Sequence, residues 1–395
     1  MYYGEKRVDQ PIRWGMVGGG KGSQIGYIHR SAALRDFNFT LLAGAFDIDP
    51  ARGKAFGETL HVASERCYPD YKTMFAEEAK RPDGIQAVSI ATPNAMHYEV
   101  CKAALEAGLH VVCEKPLCFT SKEAEELVAL AETKKRIVGV TYGYSGHQLI
   151  QQARQMIQHG DLGEIRVINM SFAFGGYNVK IEQTNPAAKW RFDPQKAGPS
   201  FALGDVGTHP LFLIEAMLPD LQIDNLMCTK RSFVEDRELE DNAFVIMNLK
   251  GSEHIQTGAQ VYCWASSINS GARHYHKIRV VGSKASLEWD DERPNQMLYE
   301  VEGEPSRIIE RGAGYLYDAA RVEDRIGGGH AEGLFEAWSN LYARFAVAME
   351  NADHAAYGDF WYPDIKAGAQ GIKWIEKCVE SAEKGAIWID YDTAK

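Results

Sequence analysis

Two side chains that could move a proton together lie four residues apart in the segment 204–210, whose sequence is GDVGTHP. Asp205 and His209 come at the start of an apolar helix predicted for residues 211–218, so we expect them on one helix face with Cβ atoms about 5–6 Å apart. A carboxylate beside an imidazole orients the ring and raises its basicity. Such a pair is the smallest set of side chains that can act as a general base and take the proton of an alcohol. The alternative is an acidic residue at a helix start and a histidine packed for structural reasons.

A lysine with a possible catalytic position follows a short buried strand predicted for residues 109–113. Lys115 stands between Glu114 and Pro116, and the proline stops any regular continuation of the strand. In an open α/β sheet, ligands bind outside the carboxyl ends of the strands. Lys115 is therefore expected to face a ligand, although a lysine solvated at a strand end is the alternative.

A strand predicted for residues 12–17 runs into a glycine-rich turn and then into a helix predicted for residues 24–34. Glycines let the backbone approach a pyrophosphate, and the helix N-terminus offers free N–H groups. The spacing departs from G-x-G-x-x-G, because Ser23 stands where the third glycine belongs and Gly26 could replace it after a longer loop. A simple tight turn is the alternative. The expected cofactor contacts in this turn are Gly18, Gly20, Lys21, Gly22, Ser23, Gln24 and Ile25.

A second strand, predicted for residues 39–46, ends at Asp47. An acidic side chain there accepts hydrogen bonds from a ribose 2′-hydroxyl and repels a 2′-phosphate, which favours NAD over NADP. Helix capping is the competing role for Asp47, although Asp49 already fits the cap before a proline. Arg52 and Lys21 could still reach a 2′-phosphate, so NADP remains possible.

Strands and helices keep alternating up to about residue 143. Repeated β-α units with short connections predict a parallel, doubly wound Rossmann sheet, so residues 1–143 are expected to form a nucleotide-binding domain. Asn94, after a strand predicted for residues 85–91, could contact the cofactor or cap a helix. The residues expected beside the cofactor at this edge are Thr92, Pro93, Asn94, His97, Glu114 and Lys115.

The pattern changes after a helix predicted for residues 148–158. Long β-type runs follow with little helix between them, at residues 165–174, 243–249, 255–264 and 276–281. They predict an α+β domain over residues 144–395, built on a large, mostly antiparallel open sheet. Helices usually cover one face of such a sheet, and an apolar second face would need a partner subunit. We therefore expect a homo-oligomer.

The composition is that of an ordinary soluble globular protein, with 395 residues, 45% of them hydrophobic and 25% charged. A net charge of −11 without a basic stripe argues against nucleic-acid binding. The seven cysteines form no C-x-x-C pair, which fits reduced thiols. Because neither a signal core nor a membrane-spanning apolar run is present, a cytoplasmic location is expected. No third ligand indicates a metal site, and no nucleophile elbow indicates a serine triad.

Several motifs in order resemble the glucose–fructose oxidoreductase/inositol dehydrogenase family (Gfo/Idh/MocA). They are the glycine-rich turn, Ala91-Thr92-Pro93-Asn94 with His97, Glu114-Lys115-Pro116, Gly204-Asp205 with His209, and Gly329-His330-Ala331-Glu332-Gly333. The resemblance spans nearly the whole chain and implies a Rossmann domain followed by an α/β domain whose open sheet forms dimers or tetramers. It also implies oxidation or reduction of sugar and cyclitol hydroxyls with NAD(P). The catalytic lysine of the family would be Lys115, and its Asp/His pair Asp205 and His209.

Substrate contacts are expected around this set. Trp190 and Arg191 lie in a loop ahead of the Asp/His pair, and they suit a polyhydroxylated ring that needs an apolar face and hydroxyl donors. A loop anchored by a core tryptophan is the alternative. Residues 143–147 read GYSGH where family members often have an arginine, so the pocket is expected to differ. The predicted substrate-binding residues are Lys115, Tyr142, His147, Trp190, Arg191, Asp205, His209 and His330.

The sequence thus predicts an NAD-dependent dehydrogenase, or the equivalent ketone reductase, for a sugar or cyclitol. His209 would take the hydroxyl proton, Asp205 would orient His209, and Lys115 would bond the reacting oxygen. Two other functions stay open: a family member with tightly held NAD that eliminates or hydrolyses a glycoside through transient oxidation, and a non-enzymatic dinucleotide sensor.

Overall fold

The computed structural model describes residues 4–356, 358 and 361–392, so the ends of the predicted domain ranges, 1–3 and 393–395, lie outside the described residues. The first part of the chain contains β1 (Ile12–Gly18), α1 (Gln24–Arg35), β2 (Phe39–Ala45), α2 (Pro50–Thr59), α3 (Tyr71–Glu78), β3 (Ala87–Ala91), α4 (His97–Glu106), β4 (His110–Cys113), α5 (Ser121–Lys134) and β5 (Val138–Val140). The second part contains α6 (Gln148–Gln158), β6 (Ile165–Ala173), α7 (Pro186–Lys189), α8 (Pro194–Ala197), α9 (Thr208–Met217), β7 (Ile223–Arg231), β8 (Asn242–Leu249), β9 (Ile255–Ser266), β10 (His276–Gly282), β11 (Ala285–Asp290), β12 (Gln296–Val301), β13 (Arg307–Glu310), α10 (Asp318–Arg321), α11 (Leu334–Asn351), α12 (Ile365–Glu383) and β14 (Ile389–Asp390).

The described residues divide into two compact units. The chain up to Gly146, together with Leu334–Ile372, makes the first unit; His147–Gly333 and the chain from Lys373 onward make the second. A single boundary near residue 143 was predicted, and the structure differs by returning α11 to the first unit, where it packs on α1.

Within the described part of the first unit, a five-stranded parallel sheet has the order β2-β1-β3-β4-β5. This order confirms the predicted doubly wound sheet. Every residue of β3 is buried, as expected for a parallel strand covered on both faces. Asp49 caps α2 as predicted, since its carboxylate accepts hydrogen bonds from the backbone N–H groups of Ala51 and Arg52.

Aromatic side chains fill the core between β1 and the late helix α11. Trp14 is fully buried, and its ring meets Phe39 edge-on at 6.2 Å and Tyr342 at 6.4 Å between centroids. Trp338 and Phe345 of α11 belong to the same hydrophobic cluster. Large aromatic rings dominate the energetics of such cores, so α11 completes the first unit.

A second sheet organises the other unit. Among the described residues it has nine strands in the order β13-β12-β11-β10-β6-β9-β8-β7-β14, all antiparallel to their neighbours except the parallel pair β6–β9. The mostly antiparallel open sheet is confirmed, and the four predicted runs correspond to β6, β8, β9 and β10. The remaining strands contain apolar runs of at most three residues, which is too short a signal to have been predicted.

Several chain-wide features follow from the same description. Among the described residues, no helix is long and apolar enough to cross a membrane. The same residues hold no group of three or more His, Cys, Asp or Glu side chains placed to bind a metal ion. All seven cysteines are free, and six are buried.

Replacing Gly26 by Ala should destabilise the first unit. A Cβ there would lie 2.3 Å from Gly19 O and 2.4 Å from Gly19 Cα, and these backbone atoms cannot rotate away. We expect a loss of roughly 1–3 kcal/mol in the free energy of unfolding, measured by denaturant titration. Gly314→Ala is the control, because no atom lies within 4 Å of a Cβ there. Equal stability of the two variants would contradict the close contact.

Candidate active site

The turn between β1 and α1 is held to the sheet by backbone contacts. Gly19 N donates to Ala91 O at 3.1 Å. Ser23 caps α1, since its Oγ accepts a hydrogen bond from Gly26 N at 3.0 Å. Gly22 has φ +81°, a conformation that favours glycine. Gly26 leaves no room for a side chain against Gly19, so it fills the packing role of the third glycine despite the longer loop.

A buried arginine beneath this turn escaped the sequence analysis. Arg30 donates from Nη1 to Gly19 O at 2.6 Å, and its guanidinium lies 5.0 Å from the Phe56 ring centroid. Burial lowers the pKa of Arg30, but an arginine stays charged in proteins. It therefore brings a positive charge to the inner side of a turn predicted to hold a pyrophosphate. In the sequence, Arg30 could have been found as a basic residue within the helix that follows the glycine-rich turn.

Asp47 follows β2 and is fixed by an arginine from the next helix. Arg52 donates to both carboxylate oxygens, from Nη2 to Oδ1 at 2.8 Å and from Nε to Oδ2 at 3.2 Å. The hydrogen bond from Arg52 lowers the pKa of Asp47. Arg52, which the sequence offered as a ligand for a 2′-phosphate, is thus paired with the carboxylate. The adjacent Ile48 is 97% exposed, an apolar surface at this edge that the sequence analysis missed.

The turns after β3 and β4 are joined by a histidine. His97 is fully buried, and its Nδ1 lies 2.7 Å from Pro116 O and its Nε2 3.0 Å from Thr92 O. Burial lowers the pKa of His97, which keeps the ring neutral. His97 was predicted to contact the cofactor, but this geometry makes it a support between two turns. Thr92 Oγ1, by contrast, is buried with no hydrogen-bond partner among the described residues.

Lys115 is delivered by the end of β4, as predicted. The preceding Glu114 is 7% exposed, and its backbone N donates to Ile90 O at 3.1 Å, which continues the sheet by one residue. The Lys115–Pro116 peptide bond is cis. Lys115 is partly exposed, whereas its neighbours on both sides are buried.

In the second unit, Asp205 lies on a π-helical turn, Ala202–Gly207, that runs into α9. The sequence predicted only an ordinary helix start, and such π turns occur often at functional sites. A buried carboxylate holds the beginning of the turn: Glu240 accepts hydrogen bonds from Ser200 Oγ and, at 3.3 Å, from Leu203 N. Burial raises the pKa of Glu240. The turn that carries Asp205 therefore has an internal support.

Asp205 has a charged neighbour from the loop ahead of it. Arg191 Nε lies 3.3 Å from Asp205 Oδ2, and the Arg191 guanidinium carbon lies 4.6 Å from the Trp190 ring centroid. Both side chains of the ion pair keep some exposure, 28% for Arg191 and 21% for Asp205. The structure thus brings together three of the predicted site residues.

His209 stands near the start of α9 and faces other aromatic rings. Its ring centroid lies 5.6 Å from that of Phe172 and 6.3 Å from that of His276. His276 is fully buried, and burial lowers its pKa to about 3, so it stays neutral. Phe172 stacks on His276 at 4.6 Å. His209 therefore faces uncharged aromatic rings on this side.

The loop that carries Trp190 and Arg191 is anchored by a buried cation. Arg237 donates to Tyr177 O at 2.8 Å and to Val179 O at 2.7 Å, and it pairs with Glu182 at 3.0 Å. Its guanidinium carbon also lies 4.0 Å from the Phe192 ring centroid. Because its side chain is only 1% exposed, these contacts fix the loop from inside.

Three further residues predicted to bind the substrate differ in their exposure. Tyr142, in the first unit, is 1% exposed, and His147, in the second, is 5% exposed, so neither presents surface for a substrate contact. His147 lies near Asp291, at 3.8 Å between Nε2 and Oδ1. His330 is exposed in a loop, with Nδ1 3.2 Å from Gly327 O. Its described contacts do not include Asp205 or His209.

The residues of the first unit fit a dinucleotide. A glycine turn at a capped helix N-terminus suits a pyrophosphate, and a fixed carboxylate after the second strand suits a ribose hydroxyl. Thr92 Oγ1 is a buried hydroxyl still without a partner in the described chain, at the edge where a ligand is expected.

Comparison with known proteins defines the class as an oxidoreductase with an NAD-binding Rossmann fold. The profile of that family matches residues 12–142, and the profile of its C-terminal alpha/beta domain matches residues 154–390. The chain therefore belongs to the Gfo/Idh/MocA oxidoreductase family, which confirms the resemblance.

Relatives match over the whole chain. The uncharacterized oxidoreductase YfiI of Bacillus subtilis is 52% identical over 397 residues, covering 99% of this chain and 100% of that protein. An inositol dehydrogenase homolog from Azotobacter vinelandii, in a crystal structure with NAD+, is 59% identical with a TM-score of 0.95, covering 99% of this chain and 100% of that one. A structure of the Azotobacter vinelandii homolog with NADH and myo-inositol is 58% identical with a TM-score of 0.92, covering 98% and 100%.

Proposed function

We propose that this protein is an NAD-dependent dehydrogenase, or the equivalent ketone reductase, that transfers a hydride between nicotinamide and a hydroxyl-bearing carbon of a sugar or cyclitol. The observation that carries the proposal is a carboxylate and an imidazole four residues apart, the carboxylate on a turn supported by buried groups and the imidazole in the first turn of the helix that follows. The relative described with NADH and myo-inositol supports a polyol as substrate.

The chemistry divides between the cofactor and the protein. Bound NAD would supply a hydride acceptor at its nicotinamide. In the oxidation direction, His209 takes the hydroxyl proton and Asp205 orients the imidazole. Lys115 donates a hydrogen bond to the reacting oxygen as negative charge develops there. Deprotonation of the hydroxyl and stabilisation of the oxygen are thus separate tasks of separate side chains.

Binding would rest on the groups with partial exposure. The β1–α1 turn would hold the pyrophosphate and Asp47 the adenosine ribose, while the exposed Ile48 offers an apolar surface to the adenine. Trp190 would stack on the substrate ring, and Arg191, held at Asp205, presents N–H donors to hydroxyls.

The two other functions predict different experimental results. An enzyme that holds NAD tightly and uses transient oxidation would convert a glycoside without accumulating NADH. A dinucleotide sensor would need no base, and the presence of Lys115, Asp205 and His209 together argues against it. Incubation with NAD or NADP and a panel of pyranoses and inositols, followed at 340 nm, separates the three. We expect NADH to accumulate with at least one polyol; sugar conversion without NADH would support the first alternative.

The His209→Asn variant tests the proton transfer. A general base contributes typically 10²–10⁴-fold in rate, so kcat should fall by roughly that factor. NAD affinity and stability should stay unchanged. The wild-type oxidation rate should fall at low pH, where the imidazole is protonated, and this acid limb should vanish or move in the variant.

Lys115→Ala is the matched control, because it should lower kcat and keep the acid limb. A histidine that is merely packed would lower stability and leave the pH profile alone. A histidine that only donates a hydrogen bond would raise KM at nearly constant kcat. Near-normal turnover by His209→Asn on a verified substrate would refute the assignment.

The cofactor preference should follow Asp47. We expect tighter binding of NAD than of NADP, because the Asp47 carboxylate repels a 2′-phosphate and is already paired with Arg52. Asp47→Ala should narrow the difference, measured as the ratio of the two dissociation constants by fluorescence titration. Equal or better NADP binding by the unmodified protein would contradict the proposal and implicate Lys21 or Arg52.

We further propose that the open sheet of the second unit forms a homodimer or homotetramer. Phe244 and Tyr262, on neighbouring strands of the sheet, are 50% and 40% exposed, and Tyr275, directly before β10, is 40% exposed. Phe244 stacks on Trp264 at 5.8 Å, and the two lie opposite each other in register. Exposed aromatic clusters of this kind mark protein interfaces.

Light scattering at micromolar concentration should give two or four chain masses. Phe244→Lys should weaken the assembly, since a lysine cannot be buried there without losing hydration. Phe233→Lys is the control, because Phe233 is 60% exposed but lies outside the strands. A monomeric wild type would overturn this part of the proposal.

A further inference from the structure

A continuous chain of buried polar groups runs through the core of the first unit and ends at the residue before Lys115. His29 Nε2 lies 3.1 Å from Glu114 Oε1, and His29 Nδ1 lies 2.5 Å from Tyr342 Oη. Tyr342 Oη lies 2.7 Å from Ser89 Oγ, which accepts from Trp14 Nε1 at 2.9 Å. The other four residues of this chain, His29, Tyr342, Ser89 and Trp14, are each at most 1% exposed. Such groups remain buried only when they are hydrogen-bonded.

The protons of this chain can be assigned from its ends. An indole N–H can only donate, so Ser89 Oγ accepts from Trp14. Ser89 then donates to Tyr342, and Tyr342 donates to His29 Nδ1. His29 Nε2 then carries the proton that is donated to Glu114. This order satisfies every group with one proton each, and Glu114 Oε1 is its final acceptor.

Glu114 has a second donor from the end of the sheet. Thr141 Oγ1 donates to the same carboxylate oxygen as His29. Burial alone would raise the pKa of Glu114, but the hydrogen bond and charge interaction with His29, the hydrogen bond from Thr141 and the charge of Lys115 outweigh burial and lower it. The carboxylate thus depends on a small number of identifiable donors.

Other titratable groups face Glu114 and remain neutral. Burial raises the pKa values of Tyr342 and Cys113 and lowers the pKa of His97, so none of the three is charged near neutral pH. His29 and Lys115 are the remaining titratable neighbours. A change of charge at Glu114 would therefore not be masked by these three groups.

We propose that His29 and Tyr342 are positioning residues for Lys115: their buried chain holds Glu114 as a carboxylate, and the anion and the strand end around it set the position of the adjacent lysine. The proposal rests on the proposed role of Lys115 in hydride transfer. His29 contacts Glu114 and Tyr342 contacts His29, although His29 and Tyr342 are 313 positions apart in sequence. Their effect on the reaction passes through Glu114.

The kinetic test compares three variants as full-length enzymes. His29→Phe keeps an aromatic ring between Trp338 and Tyr342 but removes the donor to Glu114. The pKa of Glu114 should then rise, because the largest of the interactions that oppose its burial is gone. We expect kcat to fall by roughly tenfold at pH 6 and to recover as pH rises. His29→Gln, which can donate to Glu114 again, should restore most of the rate.

Tyr342→Phe should give an intermediate shift of the kcat profile, because it removes the hydroxyl that fixes the His29 proton on Nε2. The matched control is Tyr362→Phe, which removes a hydroxyl 2.8 Å from His354 Nδ1 in the same unit but outside the chain. The control should keep the wild-type profile. A loss of kcat that is equal at all pH values in every variant would overturn the proposal.

Thermal unfolding measured as a function of pH reports on the protonation of Glu114 and does not require enzyme turnover. In the wild type the pKa of Glu114 is lowered, so its stabilising contribution is present above the unfolded value of about 4.3. In His29→Phe the pKa is raised, so folding loses stability as pH rises from that value. The Tm deficit of the variant should grow between pH 5 and pH 8.

The two readouts separate this proposal from the proposed function. A growing Tm deficit together with a shifted kcat profile supports the positioning role. A Tm deficit independent of pH overturns the chain, and a growing deficit with an unshifted kcat profile overturns the link to Lys115. Failure of the wild type to oxidise any polyol would instead refute the proposed function, while the Tm readout would still decide whether the chain holds Glu114.

Discussion

The burial of one carboxylate constrains the architecture of the first unit. Removing a charge from water costs several kcal/mol unless donors replace the lost hydration. Glu114 finds donors on α1 and after β5, through His29 and Thr141, and His29 is held in turn by Tyr342 of α11. The return of the chain into this unit after residue 333 therefore completes the environment of the strand end that carries Lys115. A Rossmann sheet without α11 would leave His29 without the hydroxyl that orders it.

In the second unit, buried groups likewise support the turn that carries Asp205. A π turn has weaker internal hydrogen bonding than an α-helix, and it persists when the surroundings support it. Glu240 provides that support from below, and Arg237 fixes the loop from which Arg191 reaches Asp205. In both units a buried ionisable side chain supports the segment that carries a side chain of the proposed site. The functional side chains can stay partly exposed because the groups behind them are rigid.

Local signals allowed much of this to be predicted from the sequence. Buried strands, the glycine turn and the cap at Asp49 depend on neighbouring residues, so the doubly wound sheet and four strands of the second sheet were predictable. Contacts between distant residues were not. His97 suggests a ligand contact by position, yet its partners are carbonyl groups, one of them 19 residues away. Arg191 pairs with Asp205 across 14 residues, and no composition signal marks the π turn.

The departure from the family pattern after Tyr142 has a physical reason in the first unit. A Cβ on Gly143 would lie 1.7 Å from Trp338 Nε1, and one on Gly146 would lie 2.0 Å from Ala337 O. This segment therefore lies against α11 with no space for side chains at these two positions. An arginine of the kind expected there could not be placed at either glycine without displacing the helix. A polar side chain for ligand contacts is therefore excluded by packing at these two positions.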